Sequence, residues 1–213
     1  MNIRYLFLFL VFAVFHFGCK TKAEETTPST FILNETFVSN KIGWAEEYTK
    51  AHLTEIKNGF LYINSLDTSA IQSSNGPLDN SFLLNFPDNY QITSSISLMK
   101  HSGNLHFGII LVGSSVEYKF SVSDSGTAAV IEWDYNRSSE MRLFTHDLYG
   151  EKDLSKKAFL FEINVHFRNF EFYINDKLMG EGILNSKNWR NIRLFTTSGS
   201  TIAVDYLRIK DVE

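Results

Sequence analysis

The sequence predicts an all-β protein, an antiparallel β-sandwich of two sheets, and three observations carry that expectation. Short runs of alternating apolar and polar residues recur from Phe31 to Ile209, which is the signature of strands with one buried face. Nineteen phenylalanines and nine tyrosines are spread over the chain, and flat rings suit a pleated, half-buried surface. Turn signals separate the runs at short intervals, and no stretch holds the apolar spacing of a helix. A sheet with one apolar face must cover it, and without helices the cover is a second sheet.

The chain begins with a leader rather than a strand. Met1 to Arg4 is a short charged start, and Tyr5 to Phe17 is almost wholly apolar. Thirteen residues fall short of the roughly twenty that a membrane-spanning helix needs, so residues 1–18 read as a signal peptide. Cys19, the only cysteine, follows directly on Gly18. Here the sequence resembles a bacterial lipoprotein signal, in which the cysteine becomes the acylated first residue, although His16 and Phe17 replace the usual Leu and small residue. An ordinary secretory signal with a chance cysteine and an uncleaved anchor are the alternatives, and all three export the domain. Residues 19–30 then form the lipidated cysteine and a polar tether, and Glu24-Glu25 resembles the acidic export tag of Bacteroidota lipoproteins. With no second thiol the domain has no internal disulfide and stands on packing alone.

The domain itself is expected over residues 31–213, long enough for a full core. Phe31 to Val38 reads as the first strand, and Glu46 to Ala51 as a helical turn. His52 to Ile56 and Phe60 to Ile63 flank Asn58-Gly59, the strongest hairpin signal in the chain. Asp67 to Asn80, with Gly76-Pro77, reads as a surface loop, and Phe82 to Phe86 resumes strand character. Tyr90 to Met99 alternates, and Leu105 to Val112 is apolar on both faces and is therefore placed centrally. Tyr118 to Val122 and Ala129 to Tyr135 alternate, Met141 to Phe144 is a weaker strand, and Tyr149 to Lys157 is a charged loop. Lys157 to Gly182 reads as a three-stranded meander, turning at Arg168-Asn169 and at Asn175-Asp176. Ile192 to Thr196 and Ile202 to Ile209 close the fold around the Ser198–Ser200 turn.

The order of these pieces, NETFVSNKIGW, NGFLYI, ITSSISL, LHFGIILV, EYKFSVSDSG, INVHFRNFEFYINDKLMGEG and TIAVDYLRI, resembles the concanavalin A-like lectin/glucanase jelly roll, also seen in laminin G-like modules. The resemblance implies two curved sheets with a concave face and rim loops where relatives bind or cleave glycans. It also implies a structural calcium held by an acidic residue in the last strand and oxygens near the chain start, for which Asp205 and Glu35 are the matching residues. A salt-bridged or turn-capping Asp205 is the alternative.

Retaining glucanases of this fold carry three acidic residues on one strand face, and Glu132, Asp134 and Asn136 share such a face here. The amide of Asn136 cannot move the proton that glycoside cleavage requires. Glu132 and Asp134 are accordingly the only catalytic candidates, and the sequence leans away from an enzyme. Glu162, Asn164, His166 and Tyr173, with Glu171, form a polar face able to hydrogen-bond sugar hydroxyls, and Trp44 and Trp189 stand beside loops where they could stack on sugar rings. Trp133 shares the phase of Ile131 and reads as core. His101 and His106 flank a turn but have no third metal ligand nearby in sequence. The formal charge of −4 becomes −5 once the leader with Arg4 is removed, leaving 19 basic against 24 acidic residues. That balance excludes a nucleic-acid partner.

The sequence thus leads to an envelope lipoprotein on a bacterial membrane, at the outer-membrane surface if the acidic tag operates. Its jelly roll is expected to be a non-catalytic module that binds a glycan or an envelope protein. A hydrolase using Glu132 and Asp134, or a structural envelope protein, are the other readings.

Overall fold

The computed structural model describes residues 30–49, 52–65, 71–73, 86–100, 105–123, 125–147, 158–197 and 199–212. The leader, Cys19, the tether to residue 29, the segments 66–70 and 74–85, His101 and the loop 148–157 lie outside the described residues. Fifteen strands and no helix are found among the described residues. One sheet is built from β1 (Phe31–Glu35), β2 (Glu47–Tyr48), β3 (His52–Lys57), β4 (Phe60–Ser65), β6 (Asn89–Lys100), β11 (Ala158–His166), β12 (Asn169–Ile174), β13 (Lys177–Ile183) and β15 (Thr201–Asp211). The other contains β5 (Ile71–Ser73), β7 (His106–Gly113), β8 (Val116–Ser123), β9 (Thr127–Asp134), β10 (Ser139–Asp147) and β14 (Trp189–Thr197).

Every pairing is antiparallel, so the architecture is a two-sheet jelly-roll sandwich. The nine-stranded sheet runs β13-β12-β11-β6-β15-β4-β3-β2, and β1 pairs with the C-terminal half of β15. The six-stranded sheet runs β10-β9-β8-β7-β14-β5. β7 lies between β8 and β14, the central position that its apolar run predicts.

The alternation in each strand decides which sheet face is apolar, and the two apolar faces meet as the core. Phe107, Ile109 and Leu111 of β7 and Tyr118, Phe120 and Val122 of β8 are fully buried. They face Phe159, Phe161 and Ile163 of β11 and Phe170 and Phe172 of β12. The rings meet mostly edge to face across the sheets, with Phe107–Phe159 and Phe120–Phe170 centroids both 5.4 Å apart, the geometry that aromatic quadrupoles favour.

Several elements depart from the sequence reading for local reasons. Glu47–Tyr48 pairs with β3 instead of forming a helical turn. Ile71–Ser73, inside the expected loop, pairs with β14. β10 extends to nine residues because its pairing with β9 continues past a bulge between Arg142 and Phe144. The first turn of the meander falls at Phe167–Arg168, one residue early, since His166 pairs with Asn169. Phe167 consequently leaves the apolar face and sits exposed at positive φ. The turns at Asn58-Gly59 and Asn175-Asp176 have both residues at positive φ, as two-residue hairpins of this twist require.

Gly108, inside β7, has a φ of 156°, and a Cβ there would collide with the carbonyl oxygen of Phe120 on β8. Neither backbone can yield, because both lie in the middle of a hydrogen-bonded ladder. Gly108→Ala is therefore expected to destabilise the fold by about 3 kcal/mol or more, read as a shift in the urea unfolding midpoint.

Candidate functional site

Pleating sends successive residues of β8, β9 and β10 to opposite faces of the six-stranded sheet. The inward set on β9 is Ala128, Val130, Glu132 and Asp134; Ala128 and Val130 belong to the core. Glu132 is thus an inward-facing carboxylate at the end of the sandwich, 7% exposed. Its Oε2 accepts hydrogen bonds from the Tyr118 hydroxyl and, at 2.8 Å, from Asn185 Nδ2. The Tyr118 oxygen in turn accepts the Asn185 backbone N–H at 2.7 Å. Burial, and the Glu132 carboxylate beside it, push the Tyr118 phenol well above its ordinary range. Asp134 receives the backbone N–H groups of Asn136 and Arg137 at 2.8 and 3.2 Å and pairs with the Arg137 guanidinium at 3.4 Å. It caps the turn that follows β9. Glu132, Asp134, Asn136, Arg137 and Asn185 together line an open cleft of about 290 Å³.

The outward set differs. Register places Glu140, Trp133, Glu117, Val112 and Asn191 side by side in one row across β10, β9, β8, β7 and β14. One step of two residues along the strands lies a second row, Arg142, Ile131, Lys119, Ile110 and Arg193. Glu117 is held from two sides: Lys119 Nζ stands 3.3 Å from its Oε1, and the Tyr135 hydroxyl donates to its Oε2 at 2.6 Å. Burial first, and then the Glu117 carboxylate, push the Tyr135 phenol up to about 12, against a smaller opposing effect of Arg193. Tyr135 remains the hydrogen-bond donor at neutral pH. Ile110, Val112 and Phe195 are buried on this same face as a small apolar cluster apart from the main core. Trp133 is half-buried and Glu140 and Arg142 are exposed, which leaves the β9–β10 portion of the face partly open, whereas Glu117 and Lys119 on β8 are largely covered.

Other residues singled out in the sequence take different places. Trp44 is 1% exposed and meets Phe37 edge to face, and Trp189 is 3% exposed with its Nε1 donating to Tyr90 at 2.7 Å. Both are core residues and cannot stack on a sugar, because the elements that precede them turn their rings between the sheets. Trp133 corrects in the other direction: the phase it shares with Ile131 is the outward phase of β9. Glu162, Asn164, His166 and Tyr173 do share the outer face of the nine-stranded sheet, but their polar groups are largely paired with one another. Asn164 donates to Glu162 at 2.9 Å and accepts from Gln91 at 2.8 Å, and Tyr173 donates to Glu171 at 2.8 Å. Glu35 and Asp205 lie on paired strands, Glu35 opposite Leu207, but take different environments. Glu35 is buried and accepts the N–H groups of Thr36 and Phe37 at 2.9 and 2.8 Å, whereas Asp205 is exposed beside a bulge in β15. No group of three acidic, histidine or cysteine residues able to hold a metal occurs among the described residues.

The outward carboxylates were missed because each of their strands was read for its apolar phase. The available signal is a repeat, Glu-x-Lys at 117–119 and Glu-x-Arg at 140–142, on two strands that run parallel to each other on either side of β9.

No protein-family model matches the sequence, and no curated protein does. Among solved structures, the chain is similar to an endo-β-galactosidase from Clostridium perfringens that releases GlcNAcα1-4Gal, with a TM-score of 0.64 and 10% identity. That match covers 87% of this chain and 64% of the other, so the chain spans somewhat under two thirds of that enzyme. It is similar to the catalytic domain of an endo-1,3-β-glucanase from Thermotoga petrophila, with a TM-score of 0.61 and 12% identity, over 87% of this chain and 98% of that one. An endo-β-1,3-glucanase from Pyrococcus furiosus gives 0.58 and 14%, over 86% and 94%.

At such identities the likeness establishes the jelly-roll fold. It also overturns the leaning away from an enzyme, since these neighbours, matched over most of this chain, are glycoside-cleaving catalysts. An amide at 136 counts against catalysis only where Glu132 to Asn136 is the working face of the strand. Glu132 and Asp134 turn inward and Asn136 lies in the exposed turn after β9, so its amide has no bearing on the carboxylates outside.

The Tyr118–Glu132–Asn185 contacts close one end of the core. Tyr118→Phe removes the hydroxyl that serves both partners and is expected to cost about 1–3 kcal/mol, measured by chemical denaturation.

Proposed function

We propose that the protein is a glycoside hydrolase of the bacterial envelope and that it works on the outward face of the six-stranded sheet. One observation carries this reading: Glu117 and Glu140 stand on either side of Trp133 in a single register row. Two strand spacings separate their backbones by about 10 Å. Carboxyl groups roughly 6.5–9.5 Å apart leave room for a water beneath the sugar and give inversion at the anomeric carbon. Glu117, with Tyr135 donating to it and Lys119 beside it, is arranged as the acceptor that activates the water. Glu140, exposed on β10 with no ion pair among the described residues, is the proton donor to the leaving oxygen. Trp133 between them offers a ring face on which a sugar stacks. Neighbours of this fold cleave β-linked galactosides and glucans, so β-linked glycans are the class to try.

A second reading keeps the pair Glu132 and Asp134, favoured by the cleft they share with Asn185. The two readings separate by mutation. Glu117→Gln and Glu140→Gln should each lower reducing-end release from a panel of β-glucans and β-galactans by about 100-fold or more. Glu132→Gln should leave turnover within a few-fold while lowering stability. Proton NMR of fresh product should show the inverted anomer. The reverse mutational pattern would favour the inward pair, and no cleavage of any glycan by the wild type would remove the hydrolase reading.

The envelope address rests on the leader and Cys19. Membrane retention through acyl chains gains about 0.8 kcal/mol per buried methylene, enough for stable anchoring only with more than one chain. Cys19→Ser is expected to move the protein from the membrane fraction to the soluble one, or leave it unprocessed; unchanged fractionation and processing would sink the lipid anchor.

A further inference from the structure

We infer that the glycan taken on this face is anionic, a polysaccharide carrying a carboxylate or sulfate on about every second sugar; the inference rests on the outward-face reading above. Its basis is the second register row. Arg142, Lys119 and Arg193 occupy β10, β8 and β14, with Ile131 and Ile110 between them on β9 and β7. Three cations thus cross the sheet at intervals of two strands, about 10 Å each. That is about the length of a disaccharide.

Stability does not account for the arrangement. Lys119 is paired with Glu117, but neither arginine forms an ion pair or a hydrogen bond to a carboxylate among the described residues. Arg193 is half-buried beside the apolar cluster of Ile110, Val112 and Phe195 and near the Tyr135–Glu117 pair, where a charge without a direct carboxylate partner is costly. A guanidinium presents a planar fork that fits carboxylate and sulfate oxygens with two hydrogen bonds, so an anionic ligand supplies the missing partner.

The neighbouring row restricts which polyanion fits. Glu140 and Glu117 lie one two-residue step, about 6.6 Å, from Arg142 and Lys119. A nucleic-acid backbone, with a charge on every unit, would be pushed back by these carboxylates and by the net charge of −4. A glycan lying across the strands can set its acidic groups over the cations and present an uncharged glycosidic oxygen to the carboxylate row. The two rows then divide the labour, one reading the charge and the other meeting the bond.

The test uses the full-length protein in detergent micelles carrying Glu140→Gln, so that binding is read without cleavage. Three polymers are compared by calorimetry: one with a uronate on alternate sugars, one with a sulfate on alternate sugars, and a neutral β-glucan. At least one acidic polymer should bind at least 10-fold tighter than the neutral one, and the preference should shrink with added salt. Arg142→Gln with Arg193→Gln should abolish the preference, whereas the corresponding Lys pair should retain much of its salt dependence. Unchanged melting temperature would show that the Gln pair is folded. Equal binding of acidic and neutral polymers, no binding at all, or a preference untouched by the Gln pair overturns the inference. The outward-face reading fails separately, if Glu140→Gln itself cleaves a glycan as fast as the wild type.

Discussion

The contacts between phenylalanine rings across the two sheets fix everything else in this fold. Phe107 on β7 meets Phe159 and Phe161 on β11, and Phe120 on β8 meets Phe170 and Phe172 on β12, with centroids 5.4–6.0 Å apart. Each ring buries a large apolar area, at about 25 cal/mol per Å², and a one-residue slip of any strand would turn its rings to water. Register is therefore held by the core. Gly108 adds a geometric lock, since only a residue without Cβ lets β7 lie against the Phe120 carbonyl. Once β7 and β8 are fixed, β9 and β10 follow by pairing, and the outward residues of four strands fall into rows without any contact of their own being needed.

That dependence explains why the fold could be read from the sequence and the site could not. Alternation is a property of one strand, so Tyr90 to Met99 or Phe159 to Val165 announces its buried face from the sequence alone. The Asn58-Gly59 and Asn175-Asp176 turns are equally local, because the left-handed backbone they need selects those residue types. A row is a relation between strands. That Glu117 and Glu140 flank the same tryptophan depends on the turns and register of two hairpins, which periodicity does not measure. Local reading also erred where neighbours decide the outcome: Trp44 and Trp189 adjoin loops in sequence, yet the chain folds their rings inward, while Trp133 follows Ile131 outward.

Glu132 illustrates the same point from the inside. As the first residue of Glu132-Trp133-Asp134 it has the spacing of a catalytic strand, and its neighbour in space, Tyr118, comes from a strand fourteen residues earlier. The carboxylate sits where the core meets solvent, with one oxygen served by a phenol and an amide. A buried acceptor left without those donors would be expensive, so the three groups stand or fall together. The inward carboxylates thus have a structural occupation, whereas on the outer face Glu117 is held by Tyr135 and Lys119 and Glu140 stands exposed beside it in the row.

Two rows of opposite character on one small area would, taken alone, be expected to pair and neutralise each other. Only one such pair forms: Lys119 takes Glu117, and the arginines at 142 and 193 remain without carboxylate partners among the described residues. Isoleucines 131 and 110 keep the cations of the row apart, which limits their mutual repulsion but also prevents any carboxylate from standing directly opposite them. Sheet geometry thereby stores positive charge at fixed intervals beside a pair of acids. Folding gains little from that arrangement, and a ligand whose charges repeat at the same interval gains the full complement at once. Occupation of the second row also draws the ligand's negative charge away from Glu117 and Glu140, so the carboxylates meet a neutral bond rather than a repelling anion.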